Sequence, residues 1–302
     1  MHVISFANVA DFAERVTPLL VRDEAENCLI LGNIAELTAP RAAHADVEPE
    51  AAAVSTWAVE GPDSSLVAAA MLKPSRADGS AQRHPAVISR ASPEATAALV
   101  KHFQERGIHL PGATAPEPTV TEFADAWCDA AGVGQDVAMS LRLMELTQVL
   151  SHRPTAGGFR AAKPAEAERL VEWAEAFSEE IGHPEPRGRC VETVMRRIDE
   201  GRLFVWCDPD LVSMAGWAGP TPGGARVNFV YTPAENRGRG YASACVARLS
   251  QHLLDSGRRF CCLFTDANNP TSNRIYESIG YRHVCDFRHV RFEKLAGEPP
   301  PG

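Results

Sequence analysis

Two short stretches of this chain combine residue types suited to chemistry. The first, Val230-Tyr-Thr-Pro-Ala-Glu-Asn-Arg237-Gly-Arg-Gly240-Tyr-Ala242, reads as a strand, a turn and a glycine-bearing helix start. Glycines at 238 and 240 let the backbone turn tightly and approach an anion, and the open amides and dipole of a helix start favour a phosphate group there. Arg237 and Arg239 add charge-assisted donors. The second stretch, Asn269-Pro-Thr-Ser272-Asn273-Arg-Ile-Tyr276, follows one helix and one strand later. Asn269 stands at a helix cap with Pro270 at the first helical position, and residues 269, 272, 273 and 276 then share one helix face. A tyrosine there can supply a proton to a departing group, its ordinary phenol pKa being ~10.

Arg-Gly-Arg-Gly alone also fits a surface turn. It is too short for a nucleotide-hydrolase phosphate loop, Gly-x-x-x-x-Gly-Lys-Ser/Thr, and it is not Gly-x-Gly-x-x-Gly. The second stretch decides between readings. Arg237 to Ala242 resembles the Gln/Arg-x-x-Gly-x-Gly/Ala motif of the GNAT acyltransferase superfamily. Asn269 to Tyr276 resembles its Asn-x-x-Ala/Ser-x-x-x-Tyr, and Glu277 to Tyr281 the Glu/Lys-x-x-Gly-Phe/Tyr that follows. The resemblance covers residues 158 to 294. The whole chain is similar to two-domain bacterial GNAT proteins with a degenerate first half, which carry a segment like Asp23-Glu-Ala-Glu-Asn-Cys-Leu-Ile-Leu-Gly-Asn.

That resemblance implies acetyl-CoA as acyl donor, direct transfer to an amine in a ternary complex, and N-acetyltransferase activity. It implies coenzyme A contacts at the backbone of Val230, Tyr231 and Thr232. Pyrophosphate contacts fall at Arg237, Gly238, Arg239, Gly240, Tyr241 and Ala242, and contacts to the pantetheine or thiol at Asn269, Ser272, Asn273 and Tyr276. Negative charge develops on the thioester oxygen during attack, and a strand amide near Val230 could stabilise it. Tyr276 is the expected general acid. Some relatives carry a carboxylate base on the strand before the phosphate turn, but Val227-Asn228-Phe229 has none. Asp266 is the tentative base, with Glu179 and Glu180 as further candidates. A cysteine acyl-enzyme is not expected, because Cys245, Cys261 and Cys262 lie on apolar elements without a partnered histidine. Two rival readings are a non-catalytic acyl-CoA sensor and a structural interaction protein.

These stretches need a scaffold. The expected fold class is α/β with an α+β mixed sheet: tandem GNAT-like domains at 1–150 and 158–295, joined by the Pro- and Gly-rich linker Ser151 to Gly158. In the second half the order is strand (from Phe159), helix (Pro164 to Ser178), helix (Cys190 to Ile198), and a meander of Leu203–Cys207, Leu211–Ala218 and Val227–Tyr231. Then come a helix after Gly240, a strand over Phe260–Phe264, a helix over Pro270–Ile279, and a closing strand pair over Tyr281–Phe292. The first half echoes it: strand His2–Phe6, helices Val9–Leu20 and Asp23–Leu37, hairpin Ser55–Val59 with Leu66–Leu72, strand Ala86–Arg90, helices Pro93–Arg106 and Thr119–Ala131, strand Val137–Leu146. Where the second half has Arg-Gly-Arg-Gly, the first has Ser92-Pro-Glu-Ala-Thr-Ala, with no glycine and so no expected phosphate cradle. Ala39 to Glu50 reads as a surface loop and Ala296 to Gly302 as a tail.

Composition fits this scaffold. At 302 residues, 45% hydrophobic and 23% charged, the chain has ordinary globular usage. No apolar run is long enough to span a bilayer and the first residues lack a signal-peptide pattern, so a cytoplasmic, non-membrane protein is expected. The eight cysteines form no C-x-x-C pair and the histidines no zinc spacing, so no metal is expected and reduced thiols are. The net charge of -9 lies entirely in residues 1–157, with 11 basic against 20 acidic residues. That argues against a nucleic-acid partner and leans toward a cationic acceptor, a small-molecule or peptide amine.

Overall fold

The computed structural model describes residues 1–39, 54–74, 84–150 and 154–294. The expected loop beyond Ala39, the tail and residues 151–153 of the linker lie outside them. The chain divides into two compact units, Met1–Leu143 with Thr265–Asn268 and Val284–Gly302, and Met144–Phe264 with Asn269–His283. The units are therefore not the two sequence halves: the closing segment groups with the first.

The first unit carries β1 (His2–Ser5), α1 (Val9–Leu20), α2 (Cys28–Thr38), β2 (Ser55–Glu60), β3 (Leu66–Leu72), β4 (Ala86–Ile88), α3 (Pro93–Glu105), β5 (Gly112–Pro116) and α4 (Thr119–Ala131). β1 to β4 pair antiparallel in order, and β4 pairs parallel with β5. Alternation along β2 sends Trp57 and Val59 to a core with α3 and α4, and Ala58 to a core with α1 and α2. Two expectations need correction. The second helix begins at Cys28, not Asp23, because the Asn27 amide donates to the carbonyls of Leu20 and Asp23 and ends the preceding turn. The closing segment is one strand, β12 (Arg282–Lys294), with no turn in it; residues 287–291 pair antiparallel with β5. β5 itself was not foreseen. Its Gly-Ala-Thr-Ala-Pro sequence has little strand propensity, but a Cβ on Gly112 would stand 2.2 Å from the Val290 carbonyl, so the small residue permits the pairing.

β6 (Val133–Leu146) ends in the second unit's core through Met144 and Leu146. That unit continues with β7 (Gly158–Ala161), α5 (Ala167–Glu180), α6 (Arg187–Asp199), β8 (Leu203–Cys207), β9 (Leu211–Ala218), β10 (Gly224–Tyr231), α7 (Tyr241–Asp255), β11 (Phe260–Asp266) and α8 (Pro270–Ile279). β7 to β10 are antiparallel and β10 pairs parallel with β11. Phe204 and Trp206 face a core with α7, while Leu203 and Val205 face one with α5 and α6. Both units thus share one plan: a strand, two helices, an antiparallel meander, then a helical crossover into a parallel strand. In each unit the strands form a mixed sheet flanked by helices.

Candidate active site

The glycine turn opens a helix, as the sequence places it. After β10 the chain passes Thr232 and a short 3-10 turn, then Gly238 and Gly240 take positive φ (+76° and +85°) before α7. Such angles cost an L side chain about 1 kcal/mol. Space is not the constraint at Gly238, where a Cβ would meet nothing within 4 Å, so the backbone angle is what requires glycine. Residues 237–240 are exposed. No side chain caps α7, whereas Asn8, Ser92 and Asn269 cap α1, α3 and α8.

Its counterpart in the first unit, the start of α3, is capped and carries a carboxylate. Ser92 accepts the Ala95 amide at 3.3 Å and Pro93 has no N–H. Glu94 stands in the first turn, its carboxyl lowered by the hydrogen bond from Ser92, and so adds a negative charge where a phosphate would have to sit.

The two arginines of the turn do different work. Arg237 donates from Nε to the Thr232 carbonyl at 2.9 Å and from Nη2 to Glu180 Oε1 at 2.5 Å, with its guanidinium 5.8 Å from the Tyr231 ring centre. It braces the turn against the end of α5, and its charge is already paired. Arg239 lies beside Tyr241, whose hydroxyl donates to Asp208 Oδ2 at 2.6 Å and is raised in pKa by that carboxylate. Glu180, a candidate base, is committed to Arg237; Glu179 is exposed.

β10 carries an irregularity that the sequence did not announce. Asn228 pairs with Gly216 and Tyr231 with Met214, so Phe229 and Val230 together oppose Ala215. Phe229 sits at φ +57°, a left-handed angle costing a bulky residue ~1–2 kcal/mol. Several contacts hold it there. Phe177 meets its ring edge-on with centroids 5.6 Å apart, and the Arg197 guanidinium lies 4.6 Å from its centre. Arg197 is 9% exposed and donates to Asn228 Oδ1 at 2.8 Å. On the far side of the bulge, Ser213 donates to the Tyr231 carbonyl and exchanges a 2.9 Å bond with Thr232. β10 pairs with β11 only from Gly224 to Arg226, although it runs on to Tyr231. The strands part just before the bulge, and the Val230 amide belongs to the unpaired stretch.

On α8, Asn269 accepts the Ser272 amide at 3.0 Å and so acts as a helix cap. Asn273 is buried, while Ser272 and Tyr276 are part-buried. The Tyr276 ring packs against the second unit's core, edge-on to Tyr281 at 5.9 Å. Burial pushes its phenol up to about 12. Asp266 ends β11, groups with the first unit, and accepts the Asn268 amide at 2.9 Å. The cysteines at 245 and 261 are fully buried and their thiols raised by desolvation, that of Cys261 to about 12. A reactive thiolate needs the opposite shift.

Arg197, the bulge and the Arg237–Glu180 brace were missed by sequence reasoning. For Arg197 a signal existed: Cys190, Val194, Arg197 and Ile198 recur at helical spacing, which puts the arginine on the apolar stripe of α6.

Residues 206–291 match the family model of the FR47-like protein, a GNAT-related domain, and the fold of the chain is that of the GNAT superfamily. No curated protein matches the sequence. Among solved structures, a Drosophila protein is 12% identical with a TM-score of 0.67, the match covering 97% of this chain and 99% of that one. A GCN5-related N-acetyltransferase from Sphaerobacter thermophilus is 18% identical with a TM-score of 0.57, covering 96% and 95%. A GNAT-family acetyltransferase from Colwellia psychrerythraea is 15% identical with a TM-score of 0.54, covering 97% and 99%.

Proposed function

We propose that the chain is an acyl-CoA-dependent N-acyltransferase that transfers acetyl from acetyl-CoA to an amine by direct attack, with one donor site, in the second unit. The observation that carries this reading is the adjacency, along one strand and its following turn, of the parted β10–β11 pair, the bulge at Phe229–Val230 and the uncapped start of α7. The turn at 238–240 and the first amides of α7 suit a pyrophosphate. Arg239 would add charge; Arg237 would hold the turn in shape from its pairing with Glu180. Backbone groups at Val230 to Thr232 would meet the pantetheine.

In this scheme the Val230 amide stabilises the oxygen that gains charge as the amine attacks. Tyr276 faces the departing thiolate. With its phenol near 12, full proton transfer to a thiol of ~8.5 is uphill by roughly 3.5 units, about 5 kcal/mol. Its role is therefore hydrogen-bond donation to the thiolate from a phenol that stays protonated at every working pH. Asn269 contributes by capping the helix that carries Tyr276, and Asn273 and Ser272 by fixing its inner face. The buried cysteines supply no nucleophile, which favours the direct route.

The test is release of coenzyme A thiol from acetyl-CoA across a panel of amines. Turnover with an amine, and none without, supports the enzyme. Binding of acetyl-CoA without turnover on any amine would leave a sensor.

A further inference from the structure

Strand alternation puts Arg226 and Asn228 on the sheet face covered by α5 and α6, opposite the face where Ala225 and Val227 meet α7. Arg226 is the last residue of β10 paired with β11, opposite Cys262, so it stands at the fork where the strands part. Its partner on β9 is the small Ala218. Arg226 is part-buried, its Nη1 is buried, and that nitrogen meets no hydrogen-bond acceptor among the described residues. Two places along the strand, Asn228 holds the buried guanidinium of Arg197. A Cβ on Gly216 would stand 2.7 Å from Arg197 Nη1, so this second cation has a niche made for it.

A buried guanidinium nitrogen without an acceptor is costly, and an anion brought to it would supply one. Arginine is also the side chain best matched to a two-oxygen anion. We infer that Arg226 binds an anionic group of the acceptor, and that the acceptor is a small amino-carboxylate. This rests on the proposed acyltransfer reading and names the substrate class of that same site. Arg226 is four residues from Val230, under roughly 13 Å along the strand because the bulge at Phe229 shortens it, so one small acceptor can meet both. A single amino acid or a molecule of dipeptide size satisfies it. Asn228 and Arg197 keep the bulge and the fork in register, and Arg226 is the specificity-determining residue.

The experiment compares acceptors matched except for charge: amino acids and ω-amino acids against their carboxamides, with aminoalkyl phosphates as a third arm. Wild-type protein is expected to favour acid over carboxamide by about tenfold or more in kcat/KM. Arg226→Met should lower kcat/KM for the acid about 10- to 100-fold, leave the carboxamide within about twofold, and leave acetyl-CoA affinity unchanged; Arg226→Lys should restore part of the preference. Equal use of acid and carboxamide by the wild type, or an equal loss on both with Arg226→Met, overturns the inference, as does preference for phosphate over carboxylate. Calorimetric titration of the same acceptors into protein saturated with coenzyme A reads binding without turnover, and failure of every acid to bind also overturns it. Failure of acetyl-CoA to bind at all refutes the acyltransfer reading instead. The wild-type comparison stands even where Arg226→Met does not fold.

Discussion

Replacing Tyr276 by Phe should lower activity while leaving stability unchanged or slightly higher. The hydroxyl has no hydrogen-bond partner among the described residues, and burial raises the phenol from 10.0 to about 12. Two units correspond to about 2.7 kcal/mol against ionisation, so the group is a neutral donor throughout ordinary assay conditions. Phenylalanine keeps the ring packing against Tyr281 and removes a hydroxyl that has nothing to donate to in the absence of substrate. The expected stability change is between zero and about 1 kcal/mol in favour of the variant, a rise of at most about 4 °C in a melt. In turnover, loss of a hydrogen bond to a developing thiolate should reduce kcat by about 10- to 100-fold, at or below the low end of general-acid effects, because the proton is not fully transferred. The KM for acetyl-CoA should change by less than about twofold. Steady-state thiol release and a thermal melt on the same preparation read both quantities. Unchanged kcat removes Tyr276 from the mechanism, and a melting point lower by several degrees shows the hydroxyl to be structural.

Four further outcomes are expected. Gly240→Ala forces a Cβ to φ +85° and to 3.3 Å from Thr155 Oγ1, and should raise the acetyl-CoA dissociation constant about tenfold in a calorimetric titration, with kcat at saturation little altered. Glu180→Gln should leave kcat within about twofold, since that carboxylate is occupied by Arg237; a loss of 100-fold would make it the base instead. Gly216→Ala drives a methyl against the Arg197 guanidinium and should cost about 1–3 kcal/mol, read as a lower melting point. Stability should fall in alkali. The Cys261 and Cys285 thiols are raised from 9.0 and Tyr276 from 10.0, each to about 12, so the folded state holds these protons longer; their contribution is complete below pH 9 and is lost as pH climbs to 12, which denaturant titrations at stepped pH would follow.

Much of this fold was legible because its signals are local. Asn269-Pro at a helix start, Gly280 at its end and the alternation of Leu203–Cys207 each act within a few residues of themselves, and the structure has those elements. What escaped depends on contacts between distant residues. β5 is a strand because Gly112 admits the Val290 carbonyl, a fact invisible in Gly-Ala-Thr-Ala-Pro. The closing strand reads as the end of the second half, yet it pairs with a strand of the first. Within the site, Gly238 and Gly240 could be assigned from type alone, since positive φ demands them. Arg237 could not: its charge suggested a phosphate contact, and only the approach of Glu180 reveals a brace. The bulge at Phe229 left no mark because its left-handed angle is imposed by Phe177, Arg197 and the strand on either side.

The most direct test is a calorimetric titration of acetyl-CoA into the wild-type protein. Among the described residues only the α7 start has an uncapped glycine turn; its counterpart at α3 is capped by Ser92 and carries Glu94. Saturable binding at one molecule per chain, weakened by Gly240→Ala, is the expected result. Absence of binding at millimolar acetyl-CoA, or two molecules bound per chain, would contradict it.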